Sequence, residues 1–405
     1  MNRKASTGII FITVFLDLLG FGMVLPLMPL YASDPRFAAT PAEIGWLMAI
    51  YSIMQFLFAP LWGRLSDRIG RRPVLIIGLF GSSLSYLVYG LAGSLLLLFI
   101  GRGVAGIMGA NISVAQAAMA DLTSREDRAR AMGMIGAAFG LGFVLGPAMG
   151  GFLSGYGLAT APLVAAVITG MNGLAALLYL AETRKPDGAD SNRSGQQAKG
   201  YHPFSPARWQ AAGLYAGALS LCLLMGLFIT LFSAFEVVLP LWGSELMGWS
   251  MGDIGWVFFY VGVVAVIVQG GVVRRLAPRI GEKRTTQAGL LLVALGFVLL
   301  AAWSQGGVWL SLALISAGAG LVHPGLSSLV SLNTDPDNQG MMLGLFQSMS
   351  ALGRSVGPVI GGGVYGIYKG DIFFATAMGV VVVLILFFQL KKKILDAREI
   401  GQTSA

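Results

Sequence analysis

The 405-residue chain has 11 % charged and 56 % hydrophobic residues and a mean hydropathy of +0.75, whereas a soluble domain averages about 25 % charged. Lipid is therefore its main solvent, and long unbroken apolar runs point to spanning helices, not to strands alternating every second residue. The formal charge of +8 means nucleic acid or membrane orientation according to where the basic residues lie.

Taken in chain order, with about 20 apolar residues per span, the sequence predicts helices over 7–31, 42–62, 73–93, 95–120, 131–154, 161–181, 211–242, 252–274, 285–304, 308–331, 340–367 and 371–390. An even number of spans returns both termini to one side, and odd-numbered helices then run outward. Of the 27 lysines and arginines, Arg36 and Lys369 sit in outer loops and Arg102 and Arg354 inside spans; the others fall on the side of the termini. That asymmetry marks the side as cytoplasmic, so the net charge reports orientation and no nucleic-acid partner is expected. The first apolar segment lacks a small-residue cleavage site and carries Asp17, Pro26 and Pro29, so it is expected to remain as the first helix. Cys222, the single cysteine, lies in an apolar run and reads as a small core residue.

Between Glu182 and Trp209 the chain turns polar, with Pro186, Gly188, Ser191, Ser194 and Gly195 among charges, which marks a flexible linker. The expected organisation is a six-helix bundle over 1–181, a cytoplasmic linker over 182–209, a second six-helix bundle over 210–392 and a cytoplasmic tail over 393–405. The halves are related by a repeat. Gly142, Gly146, Pro147, Gly150 and Gly151 recur 211 residues later as Gly353, Gly357, Pro358, Gly361 and Gly362. The same offset takes Gly133 to Gly344, Pro29 to Pro240 and Ile69-Gly70 to Ile280-Gly281; one residue less takes Glu43-Ile44-Gly45-Trp46 to Asp253-Ile254-Gly255-Trp256. The charges are not copied. Asp17 maps to Phe228, Asp67 to Pro278, Arg71 to Glu282, Arg102 to Ala313 and Asp121 to Leu332, while Glu236, His323 and Arg354 map back to Leu25, Ile112 and Phe143. Shared residues are thus expected to be architectural, and the unshared charges to carry mechanism.

Four motifs stand out. Gly63, Asp67, Arg68, Gly70, Arg71 and Arg72 crowd the loop between helices 2 and 3; Leu98, Arg102 and Gly106 lie in helix 4; Gly142, Gly146, Pro147, Gly150 and Gly151 lie in helix 5; Leu16-Asp17 precedes Pro26 and Pro29 in helix 1. In these residues and its two-halved plan, the chain resembles over nearly its whole length the major facilitator superfamily, and within it the twelve-helix drug:proton antiporters that include tetracycline exporters. One position departs: three residues after Arg102, where the family often has Gln, stands Ala105. The resemblance implies an all-α membrane fold of two pseudo-symmetric six-helix bundles around a central cavity, working by rocking-bundle alternating access.

The loop between helices 2 and 3 reads as a conformational latch. Helix 11 runs outward, so its unpaired N–H groups and partial positive charge lie at the cytoplasmic face, where Asp67 is placed to meet them. Asp121 closes helix 4 at the same face, opposing a negative helix end unless a cation is near, and Arg71 supplies one. The resemblance implies the same contacts, within a signature that includes Gly63 and Gly70, as stabilising the outward-facing state. The alternative is a loop whose charges only set topology.

Away from the ends of the spans only Asp17, Arg102, Glu236 and Arg354 are charged, and ionisable groups at such depth are functional candidates. The resemblance places Asp17 on helix 1 and Arg102 on helix 4 beside the cavity. With Glu236 they form a candidate proton-coupling set, since a rocking motion that separates acid from base would load and release a proton; a static ion pair is the alternative. Glu236 on helix 7 lies amid Phe228, Phe232, Phe235 and Trp242, a neighbourhood suited to a flat or cationic guest, though aromatics in spans also face lipid. Arg354 would balance Glu236 or attract an anionic substrate. His323, before Pro324, is a candidate proton relay or a hydrogen-bonding residue. Gly142, Gly146 and Pro147, with Gly353, Gly357 and Pro358, offer smooth faces and helix breaks for close packing.

There is no phosphate-binding loop with its lysine, no metal-spaced Cys or His pair and no nucleophile elbow. Neither an enzyme nor an ATP-driven pump is expected, nor any cofactor, the proton serving as coupling ion. A proton crossing about 100 mV delivers about 2.3 kcal/mol, which offsets a substrate gradient of roughly 50-fold. The expectation is a monomeric multi-pass transporter of a bacterial cytoplasmic (inner) membrane, both termini cytoplasmic, exporting small amphipathic compounds such as drugs in exchange for protons. A dedicated exporter of a metabolite, siderophore or lipid, and a sensor that binds without moving solute, are the alternatives.

Overall fold

The computed structural model describes residues 3–109, 111–123, 128–183, 216–302, 307–335, 339–369 and 372–390; the predicted linker from 184 onward and the tail over 393–405 lie outside these. The helices are α1 (Arg3–Val24, followed by a 3₁₀ turn Leu25–Leu27 and a short helix Met28–Ala32), α2 (Pro41–Ile69), α3 (Arg71–Gly90), α4 (Leu95–Gly109, resuming as Asn111–Leu122), α5 (Arg128–Ser154) and α6 (Thr160–Tyr179). After the linker come α7 (Ala216–Met247) and α8 (Met251–Ile267), which runs through a π-helical turn, Val268–Val273, into Arg274–Ala302. Gly281 interrupts that last stretch with non-helical angles, so 282–302 forms α9. The series ends with α10 (Val308–Leu332), α11 (Gln339–Tyr368) and α12 (Ile372–Gln389).

Ten helical stretches among the described residues are long and apolar enough to cross a membrane, and one of them, Met251–Ala302, has 52 residues. A single crossing takes about 20, so the break at Gly281 divides it into two and gives eleven; the 30-residue α11 stands at the place of the predicted helix 11. No strand occurs among the described residues. The protein is an all-α, multi-pass integral membrane protein.

The repeat is visible in the packing. In the first half α1 packs on α5 and α6, and α3 on α4 and α6; in the second, α7 packs on α11 and α12, and α9 on α10 and α12. Glycine explains the closest of these contacts. A Cβ at Gly142 would lie 2.8 Å from the Leu18 Cβ and one at Gly146 2.7 Å from the Gly22 Cα, so α5 meets α1 nearly backbone to backbone. Likewise a Cβ at Gly353 would lie 2.7 Å from the Gly226 carbonyl oxygen and one at Gly361 2.7 Å from that of Ala234, while Gly357 abuts the Thr230 carbonyl. Small residues at these positions let helices approach where lipid gives no hydrophobic drive for association. Pro147 and Pro358 lie inside the same two helices.

Two further repeated segments have a local cause. Gly70 (φ 101°, ψ 160°) and Gly281 (φ 83°, ψ 159°) adopt one left-handed conformation that side chains avoid, and each turns one helix into the next. Thr40 with Glu43 and Ser250 with Asp253 form reciprocal capping pairs at the starts of α2 and α8. The Thr40 N–H donates to Glu43 Oε2 at 2.8 Å and the Glu43 N–H to Thr40 Oγ1 at 3.3 Å; the Ser250 and Asp253 distances are 2.9 and 3.2 Å. Each pair satisfies helix N–H groups that would otherwise lack acceptors.

By contacts the chain divides into Met1–Leu25 with Ile53–Gln210 and Pro26–Ser52 with Ala211–Ala405. The division thus runs through α1 and α2 and not only through the linker. In the first unit Ile10, Val14, Leu18, Trp62, Leu75 and Leu79 form a core. In the second, Phe235 packs edge-on against Phe297 at 5.0 Å and Phe373 at 6.2 Å, and Cys222 is buried with its thiol 3.8 Å from the Met342 carbonyl. The segment Pro26–Ser52 belongs to this second unit because Met28–Ala32 packs on α7, and Pro41 and Gly45 meet Gly362 of α11.

Candidate functional site

In the loop between α2 and α3, Arg71 draws the acids together. Its Nη1 lies 2.7 Å from Asp67 Oδ1 and donates to Ser66 Oγ at 2.6 Å, while its Nε lies 3.2 Å from Asp121 Oδ2 at the end of α4. The Arg71 side chain is only 14 % exposed, but that of Asp67 is 61 % exposed, so the arginine is enclosed by its partners and one carboxylate remains open to water. At Gly63 an added methyl would meet nothing within 4 Å, and its carbonyl accepts from Ser66 Oγ at 2.8 Å.

Sequence reasoning missed Glu182. The N–H groups of Arg71 and Arg72, the first residues of α3, donate to its two carboxylate oxygens at 2.9 and 3.2 Å, where a helix offers unpaired donors and partial positive charge. The available signal was an isolated acid directly after an apolar helix on the face that carries four arginines, but its polar surroundings read as linker.

Deeper in the first unit, Asp17 lines a cavity with room for about one water molecule, together with Thr13, Leu75, Leu79, Asn111 and Ile112. Asn111 is buried, its Nδ2 donates to the Leu75 carbonyl at 3.0 Å, and its Oδ1 has no hydrogen-bond partner. Arg102 is buried with its guanidinium 5.8 Å above the Phe21 ring, one helical turn from Asp17 on the same face of α1.

In the second unit, three of the predicted groups share one neighbourhood. Glu236 on α7 is half-buried, accepts from Ser233 Oγ at 3.4 Å, and interacts electrostatically with Arg354 on α11. The charge of Arg354 also acts on His323 of α10 and on Tyr51, and the exposed His323 ring stands edge-on to Phe346 at 5.5 Å. Phe232 is half-buried between Phe228 at 6.1 Å and Phe235 at 6.0 Å. Phe235 itself is 3 % exposed and enclosed by Phe297 and Phe373, so it builds the core behind the acid. An acid, a guanidinium, an imidazole and one accessible aromatic ring make a site able to hold a polar group beside a flat apolar one. Among the described residues no cluster of His, Cys, Asp and Glu suits a metal ion.

Comparison with known proteins shows the family. The sequence pattern of the Major Facilitator Superfamily matches residues 10–358 and 272–402. The class C tetracycline resistance protein of Escherichia coli is 35 % identical over 368 residues, 89 % of this chain and 90 % of that protein. The crystal structure of the human organic anion transporter MFSD10 (TETRAN) superposes with a TM-score of 0.68 at 28 % identity, covering 96 % of this chain and 100 % of that one. A bacterial homologue of the human lysosomal transporter Spinster, in its inward-facing and unoccupied conformation, reaches 0.78 over 98 % of both chains at 14 % identity, a likeness of fold alone.

Proposed function

Because this chain belongs to the major facilitator superfamily, we propose that it is a proton-coupled antiporter that exports small amphipathic compounds of the tetracycline type. The observation that carries this reading is the 35 % identity to a tetracycline resistance protein over 89 % of the chain. Acids within the spans of both halves support it: a proton bound from outside to Asp17 or Glu236 would return the protein to its inward-facing state. Proton release to the cytoplasm would then permit substrate capture, and Asp67, Arg71 and Asp121 would hold the cytoplasmic face shut in between. The cycle uses no cofactor, and the protein works as a monomer in a bacterial cytoplasmic membrane with both termini inside. A rocking exchange of the two bundles supplies alternating access.

The test is uptake of tetracycline by proteoliposomes with an acidic lumen, compared with protein-free liposomes. Antiport predicts accumulation that a protonophore abolishes. Uptake indifferent to the imposed gradient would refute proton coupling. A second reading, export of an organic anion, is favoured by the half-buried Arg354 of α11, a cation able to attract an anionic group, and by the description of the human relative as an organic anion transporter. An anionic dye that competes with tetracycline, and loses competition in Arg354→Met protein, would favour that reading.

A further inference from the structure

Glu182 and the start of α3 hold one another by contacts that run both ways. The acid follows the last turn of α6 and accepts from the N–H groups of Arg71 at 2.9 Å, Arg72 at 3.2 Å and Thr183 at 3.0 Å. In return the Arg72 guanidinium donates to the Leu177 carbonyl, in that last turn, at 2.6 Å. A carboxylate from α6 thus closes the N-terminus of α3, and a guanidinium from α3 closes the C-terminus of α6; each neutralises helix-end groups that carry the opposite partial charge.

Among the described residues this contact is made at the first loop, around Gly70. Its N-cap position has no side chain to supply an acceptor, and a Cβ built there would collide with the Glu182 carboxylate. Its repeat counterpart Gly281 has nearly the same backbone angles, and among the described residues a Cβ there would meet nothing within 4 Å. What the first loop has in addition is Arg71, whose backbone N–H is held by Glu182 and whose side chain reaches Ser66, Asp67 and Asp121.

We propose that Glu182 is the positioning residue of this loop: by capping α3 it holds Arg71 where the guanidinium bridges Asp67 and Asp121, so that the latch is set from α6. The inference rests on the reading of the loop as a latch, and its test separates the two. Ser66 is 0 % exposed and accepts from Arg71 Nη1, so a cysteine in its place reports whether Arg71 stays put. In full-length Cys222→Ala/Ser66→Cys protein in nanodiscs, Glu182→Ala is expected to speed maleimide labelling at position 66, and hydrogen exchange at the Arg71 and Arg72 amides, about tenfold, the equivalent of a lost cap. Exchange near Gly281 should stay unchanged. Glu182→Gln, which keeps one acceptor oxygen and loses the charge, should show the same change more weakly. Unchanged labelling in Glu182→Ala protein overturns the proposal, as does faster exchange at both loops, which marks general loss of stability. In tetracycline efflux from cells, equal and non-additive losses in Arg71→Ala and Glu182→Ala support it. A loss confined to Arg71→Ala overturns the positioning role and leaves the latch. Full efflux by Arg71→Ala overturns the latch reading, while the labelling result still decides whether Glu182 positions Arg71.

Discussion

A charge inside an apolar helix persists only where another group meets it, and the four charges within the spans are met in different ways. Glu236 and Arg354 act on each other across α7 and α11, whereas Asp17 lines its cavity with Asn111 and Arg102 lies over Phe21. The first arrangement predicts a specific double-mutant result. Arg354→Met leaves Glu236 without its cation and should lower stability by about 1–3 kcal/mol; adding Glu236→Gln should recover most of that loss while transport stays abolished. Thermal unfolding of purified variants beside efflux assays gives both readouts, and a double variant no more stable than Arg354→Met would exclude a coupled pair. Asp67→Asn should in turn abolish efflux while leaving the protein folded and inserted, as measured by membrane yield and drug resistance of cells. The charged positions were legible because charge is rare in apolar runs, and so was Arg354 as a partner for Glu236. The neighbours of Asp17 were not, because the rotation of each helix decides what it faces, and an asparagine among Ile112 and Ser113 raises no signal of its own.

At the scale of elements, glycines set how closely helices approach and capping pairs set where they begin. A Cβ at Gly146 would come within 2.7 Å of the Gly22 Cα, whereas one at Gly363 would meet nothing within 4 Å. Gly146→Ala should therefore destabilise by about 1–3 kcal/mol through overpacking, while Gly363→Ala should gain up to about 1 kcal/mol of helix propensity. Similar melting temperatures for the two would contradict the packing assigned to α1 and α5. The spacing of the repeat carried this information in advance, since Gly142 and Gly353 pack on α1 and α7, the corresponding partners in each half. The repeat also registered Glu43 and Asp253, but their capping role depends on Thr40 and Ser250, which differ in identity and so escape a search for identical residues.

The whole molecule is where hydropathy speaks most directly, and the succession of apolar spanning helices follows from it. Boundaries were less legible: α8 continues past its predicted end at 274 to the break at Gly281 because a π-helical turn carries it into the basic segment. Nor does apolarity reveal that Pro26–Ser52 packs with the second unit, since that grouping depends on bare backbone contacts of Pro41 and Gly45 with Gly362. Those contacts supply the last prediction. A Cβ at Gly366 of α11 would lie 3.8 Å from the Pro41 Cβ at the start of α2, the mean separation of about 3.8 Å found in disulfides. Pro41→Cys with Gly366→Cys in a Cys222→Ala background should thus oxidise readily without distorting either helix. If access alternates by rocking of the bundles over 1–181 and 210–392, these ends of α2 and α11 must part once per cycle. The oxidised protein should then export nothing, each single-cysteine variant should export normally, and reduction should restore the double variant. Undiminished efflux by the cross-linked protein would mean that this outer contact stays closed throughout transport, and the path to the outside would have to open elsewhere.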